Sequence, residues 1–277
     1  MNNSTVNFFT PEGSTNSTTQ SIELMDSLNI YIHGINVLFG LPTHSYVIWL
    51  IITGSGVASG FFNLNLSVCD TGNCLLSLFY IIYFCGFSHL TTLTEFLIGI
   101  SITGRPLFQC LMCVERYLAV VHPVTFLKYK PLRYRVICCT VAWVITLGSC
   151  VYCVFTVGLF YMYIWFYLIQ SLLFLSIQLF CLVAVLRALK QSRPGERCRE
   201  REEENLMKRR AFLLIVITTV SVIIFYMPFT ISGFFFLTHK YIKELFSVSF
   251  ICNVLISFVQ PALYLHRVGK LFCLCSP

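Results

Sequence analysis

Apolar residues run along this chain in long, nearly unbroken stretches separated by short polar ones. Seven such stretches lie near residues 30–55, 60–86, 91–117, 136–158, 160–189, 208–237 and 245–266. As helices rising about 1.5 Å per residue, each is long enough to cross a hydrocarbon core of about 30 Å. The pattern predicts an all-α membrane protein, a seven-transmembrane helix bundle. The first stretch is interrupted by Pro42 and the polar Thr43-His44-Ser45. The fourth and fifth are divided only around Thr156 to Gly158, and one bent helix there would reduce the count to six and move the tail to the other face.

Charge orients the bundle. Of the 19 Lys and Arg residues, all but Arg105, Lys240 and Lys243 fall on one face under the seven-span reading. Positive residues accumulate on the cytoplasmic side, so the N-terminus is expected outside and the C-terminus inside. A six-span chain would spread the basic blocks over both faces, which supports seven. Tyr161, Tyr163, Trp165 and Tyr167 suit an outer interfacial belt, or simply contact lipid.

The flanks divide the chain into an extracellular tail (1–29), the bundle (30–266) and a short cytoplasmic tail (267–277). Through Leu28 the chain is rich in Asn, Ser and Thr and carries no Lys or Arg. With no basic start and no early apolar centre, it does not read as a cleavable signal peptide. Sequons at Asn2, Asn3 and Asn16 fit glycosylation of an outer tail. At the other end Cys273 and Cys275, beside Arg267 and Lys270, are either palmitoylation sites or free thiols.

Composition agrees with the pattern: 57% of the 277 residues are hydrophobic, 11% are charged, and mean hydropathy is +0.77. Soluble domains carry about 25% charged residues, so most of this surface must face lipid. The net charge of +7 sits in blocks between apolar runs. That is the pattern of membrane orientation rather than of a nucleic-acid partner. A multi-pass plasma-membrane location is expected, with membrane lipid as a partner.

Polar residues inside the runs are few, and they carry the chemistry. Glu115 and Arg116 stand side by side where the third run meets the first basic cluster. Arg105 lies 11 residues earlier, about 16 Å deeper along the helix, and Asp70 sits about 15 Å into the second run from the same face. Opposite charges at one depth should pair, because either alone is costly in hydrocarbon. With Asp70 the only deep acid, no cluster of His, Asp or Glu is available for catalysis. No enzyme, cofactor or metal is therefore expected. A transporter should show related halves around a midplane site, whereas this chain has no internal repeat and an odd number of spans.

Several motifs in order resemble the rhodopsin-like (class A) G-protein-coupled receptors. Asn65-Leu66-Ser67-Val68-Cys69-Asp70 is similar to that family's second-span Asn-Leu-Ala-x-x-Asp. Glu115-Arg116-Tyr117 followed by Pro123 resembles its Asp/Glu-Arg-Tyr and loop proline, Trp143 its fourth-span tryptophan and Pro228 its sixth-span proline. Gln260-Pro261-Ala262-Leu263-Tyr264 resembles Asn-Pro-x-x-Tyr. The resemblance implies a receptor that passes an extracellular signal to heterotrimeric G proteins. It assigns the coupling switch to Glu115, Arg116, Tyr117, Pro123, Pro261 and Tyr264, with Glu115 restraining Arg116 at rest.

The departures from the family suggest a divergent member. The first-span asparagine falls on His44, the sixth-span tryptophan on Tyr226, and the third-span cysteine near Thr91, so no outer-loop disulfide is expected. Cys85, Cys150 and Cys153 are the nearest substitutes. Lys208-Arg209-Arg210 replaces the sixth-span acid that would help lock Arg116, which predicts elevated basal activity. In the family the aspartate's pocket holds sodium; here the Arg105 guanidinium is expected to take the ion's place. The alternative function is a receptor-shaped protein without G-protein signalling: a decoy, chaperone or heteromer partner.

Outer-half positions expected to line a ligand pocket are mostly apolar. They comprise Ile98, Gly99, Ile102, Phe229, Gly233, Phe236, Phe250 and Val254, with Tyr226 beneath them. Glu95 is the one acid near them, either an anchor for a cationic group or a solvated helix-end residue. An apolar or lipid-like extracellular ligand is the expectation.

Overall fold

The computed structural model describes residues 27–54, 57–84, 90–129, 132–156, 159–190, 198–238 and 243–267. Among them every regular element is helical. The helices are α1 (Ser27–Thr53), α2 (Val57–Phe84), α3 (Thr91–Val121), α4 (Pro123–Tyr129), α5 (Leu132–Phe155), α6 (Phe160–Lys190), α7 (Cys198–Leu237) and α8 (Lys243–Arg267). Six of them (α1, α2, α3, α5, α6 and the Ile215–Leu237 part of α7) are long and apolar enough to cross a membrane. At 25 residues α8 reaches about 37 Å, long enough to do the same. α5 ends at Phe155 and α6 begins at Phe160, so the fourth and fifth runs are separate helices.

Packing makes α3 the central helix. It contacts α2, α5, α6 and α7, while α1 meets α2 on one side and α8 on the other, closing the ring. Two-thirds of the apolar window of α3 is buried inside the bundle, against a half or less for each other span. The outward faces carry large apolar side chains such as Trp49, Ile137, Phe155 and Phe180. Water would penalise such a surface; lipid does not, which is why backbone groups are satisfied within the helices.

Small residues let the helices approach closely, as lipid-embedded packing favours. A Cβ on Gly99 of α3 would lie 2.5 Å from the Cys150 Cα of α5, and one on Gly233 of α7 would lie 3.1 Å from Ile164 Cγ2 of α6. Both glycines are therefore interface residues and do not line a pocket, which corrects the sequence expectation for each.

Two π turns interrupt the spans: Asn36–Gly40 in α1 and Ile100–Gly104 in α3. Such turns insert a residue into the helical register and re-aim the side chains of the next turn. The second leads directly into Arg105-Pro106, where the proline has no N–H to hold a tighter turn.

A buried ion pair, with a cavity and an arginine at opposite ends of the bundle

At the middle of the bundle Arg105, 1% exposed, meets Asp70, 2% exposed. Arg105 Nε donates to Asp70 Oδ1 at 2.6 Å. His44 of α1, fully buried, places Nδ1 3.9 Å from Asp70 Oδ2. That is close enough for attraction but too long for a hydrogen bond, and neither ring nitrogen of His44 has a hydrogen-bond partner among the described residues. Three helices thus converge on one carboxylate. Where lipid surrounds a bundle, such a cluster is tolerated only because the charges neutralise each other.

A polar network surrounds this pair. Ser101 Oγ donates to Asn73 Oδ1 at 3.0 Å, tying the α3 π turn to α2. The Thr103 hydroxyl lies 2.5 Å from Ser149 Oγ and donates to Gln170 Oε1 at 2.8 Å, so one side chain joins α3 to α5 and α6. Gln178 Nε2 donates to Cys110 Sγ at 3.5 Å. The family-like Asn65 and Trp143 are brought together: Trp143 Nε1 donates to Asn65 Oδ1 at 2.8 Å, and its ring packs on Phe108.

At one end of α3 lie Glu115, Arg116 and Tyr117, which the resemblance assigns to a coupling switch. Arg135 at the start of α5 donates through Nη2 to Glu115 Oε1, a partner that the sequence reading missed. Arg116 is half-buried beside it. The Tyr117 hydroxyl lies 3.1 Å from His122 Nε2, with the two rings edge-on and Phe180 of α6 on the other side. Pro123 is exposed and opens α4. Pro261 is buried within α8, and Tyr264 packs on the Val47, Leu50 and Ile51 cluster of α1.

At the opposite end lies a cavity of about 290 Å³ between α1, α2, α3 and α8. It is lined by Leu76, Tyr80, Tyr83, Glu95, Ile98 and Val254, among others. Of the sequence-expected pocket residues, the structure brings Glu95, Ile98 and Val254 together here. Ile102 and Tyr226 instead border a separate gap of about 10 Å³ with Tyr167, no larger than one water requires. Phe229 packs against Tyr167, Ile164 and Leu168, and Phe236 joins the same cluster. Among the described residues the expected pocket therefore divides between this cavity and that gap.

Several expectations lie outside the described residues. These are Asn2, Asn3, Asn16, Cys85, Lys240, Cys273, Cys275, and the side chains of Phe250 and Lys208 to Arg210. Cys150 and Cys153 are buried free thiols.

A ring of apolar helices around a polar, charge-bearing central helix defines a multi-helix membrane protein. No family model matches the chain. Similar curated proteins include the chemokine XC receptor 1 of Homo sapiens, 31% identical over 180 residues that cover 58% of this chain and 54% of the receptor. The chemokine XC receptor 1 of Mus musculus is 30% identical over 193 residues, 61% of this chain and 58% of that receptor. The chain thus spans little more than half the length of the curated relatives it matches. Over that share the chain is similar to these rhodopsin-like G-protein-coupled receptors. Those relatives are receptors rather than enzymes, and they imply a seven-helix bundle.

Proposed function

We propose that the chain is a plasma-membrane receptor that conveys an extracellular signal to heterotrimeric G proteins. In this reading the N-terminus is outside, the cavity faces outward and Arg116 faces the cytoplasm. The supporting observation is that one helix spans both ends. Glu95 in the cavity wall and Arg116 at the opposite mouth lie on α3, 21 residues and about 32 Å apart. A ligand that shifts α3 relative to its neighbours therefore acts directly on the arginine.

The pairing of Glu115 with Arg135 bears on the switch. A carboxylate shared with α5 restrains its neighbour Arg116 less than one devoted to it. Together with Lys208 to Arg210 in place of an acid, this favours elevated basal activity. The relatives are named for chemokines, so a chemokine is the first ligand class to add in a signalling assay.

The test is surface display in cells with a panel of G-protein readouts, comparing wild type with Arg116→Ala. A basal or ligand-driven signal that disappears in the variant supports the reading. Silence from displayed wild type across the whole panel overturns it in favour of a receptor-shaped decoy, chaperone or heteromer partner.

A further inference from the structure

The outer cavity carries a charge pattern that selects a ligand class. Its volume of about 290 Å³ is at the lower edge of the roughly 300–1,000 Å³ of small-molecule sites. Leu76, Ile98 and Val254 supply apolar wall, and Tyr80 and Tyr83 supply aromatic wall. Among the described lining residues Glu95 is the one carboxylate, and no Lys or Arg accompanies it.

Several other polar groups there are already engaged. His33 Nδ1 lies 3.0 Å from Ser77 Oγ, and its ring packs on Tyr80 with centroids 4.5 Å apart. Asn73 accepts from Ser101. Glu95, half-buried, makes no hydrogen bond or ion pair among the described residues.

An unpaired carboxylate bordering a mostly apolar space discriminates between ligand charges. A neutral ligand offers the carboxylate at most an uncharged hydrogen bond in place of water. An anion would be repelled. A cation gains a charge-assisted hydrogen bond, and tyrosine faces attract it further. We propose that this cavity binds a small alkylammonium or arylalkylammonium ligand, with the ammonium on Glu95 and the apolar body against Leu76, Ile98 and Val254. The proposal deepens the receptor reading by naming a ligand class, and it is tested by binding alone so that the two fail separately.

The experiment uses the full chain in lipid nanodiscs with three probes of one shape: 2-phenylethylammonium, 2-phenylethanol and phenylacetate. Affinities are read by ligand-observed NMR. The expected result is at least a tenfold preference for the ammonium over the alcohol, with phenylacetate weakest. Glu95→Gln removes the preference, bringing the affinity for the ammonium down to that for 2-phenylethanol, and Glu95→Asp keeps part of it. Thermal melts matching wild type establish that both variants are folded. Equal binding of ammonium and alcohol by wild type overturns the proposal. So does a preference that survives Glu95→Gln, or no binding of any probe. Ammonium binding in a protein that never signals leaves this site standing and sinks only the receptor reading.

Discussion

Asp70→Asn removes the negative half of the buried pair while keeping size and shape. Arg105, 1% exposed, then holds its charge inside the bundle without the carboxylate that now lies 2.6 Å from Nε. Removing one partner of a buried pair costs about 3–5 kcal/mol, because the other charge is left uncompensated. At about 2–4 °C per kcal/mol for a chain of this size, the melting midpoint should fall by roughly 6–20 °C. The protein carries its own reporter in the buried thiols Cys69, Cys74, Cys110, Cys139, Cys150 and Cys153. A thiol-reactive fluorophore added during a thermal ramp labels them as the bundle opens. The reciprocal variant Arg105→Gln should lose less, since His44 Nδ1 stands 3.9 Å from Asp70 as a substitute partner. The double variant Asp70→Asn/Arg105→Gln should recover most of the loss, because no lone charge remains. A single variant melting within about 2 °C of wild type, or losses that merely add in the double, would refute the argument; exposed pairs contribute only about 0–1 kcal/mol.

Two more outcomes rest on the packing. Arg135→Ala frees the Glu115 carboxylate for its neighbour Arg116, so basal G-protein signal at matched surface density should fall; a rise would contradict the proposed competition. Gly99→Ala sets a methyl 2.5 Å from the Cys150 Cα, a backbone clash worth about 1–3 kcal/mol. Gly148→Ala meets nothing within 4 Å and should be neutral or up to about 1 kcal/mol stabilising through helix propensity. The thermal melts of the two variants should therefore move in opposite directions or differ by several degrees.

The spans were legible because hydropathy alone requires them: a run of 20 or more apolar residues has few other stable fates. The run expected at 91–117 is helix from Thr91 to Val121, and the break near Thr156 falls between α5 and α6. Depth was legible too, since helical rise places Asp70 and Arg105 at one level. Facing direction was not. The third run carries polar positions on both sides of the π turn at Ile100–Gly104, and that turn shifts the register between them without any sequence mark. Gly99 thus read as a pocket position although it packs on α5. Arg135 was counted as a topological charge, and nothing in a basic cluster tells which member turns back toward Glu115.

The π turn of α1 has a mechanical consequence. Its first residue, Asn36, fully buried, donates through Nδ2 to Ser77 Oγ at 2.8 Å, while its Oδ1 accepts from Ser257 Oγ at 3.1 Å. One amide therefore bolts α1 to both α2 and α8, and neither helix can turn against α1 without breaking a buried bond. Between α6 and α7 the polar contacts among the described residues centre on one hydroxyl, that of Thr230, 3.4 Å from Ser171 Oγ and bonded to Tyr167. The seam around them, at Gly233, is apolar. Buried hydrogen bonds are unevenly shared: they tie α1, α2 and α8 together through one amide, whereas α6 and α7 meet across the bundle mainly through apolar side chains.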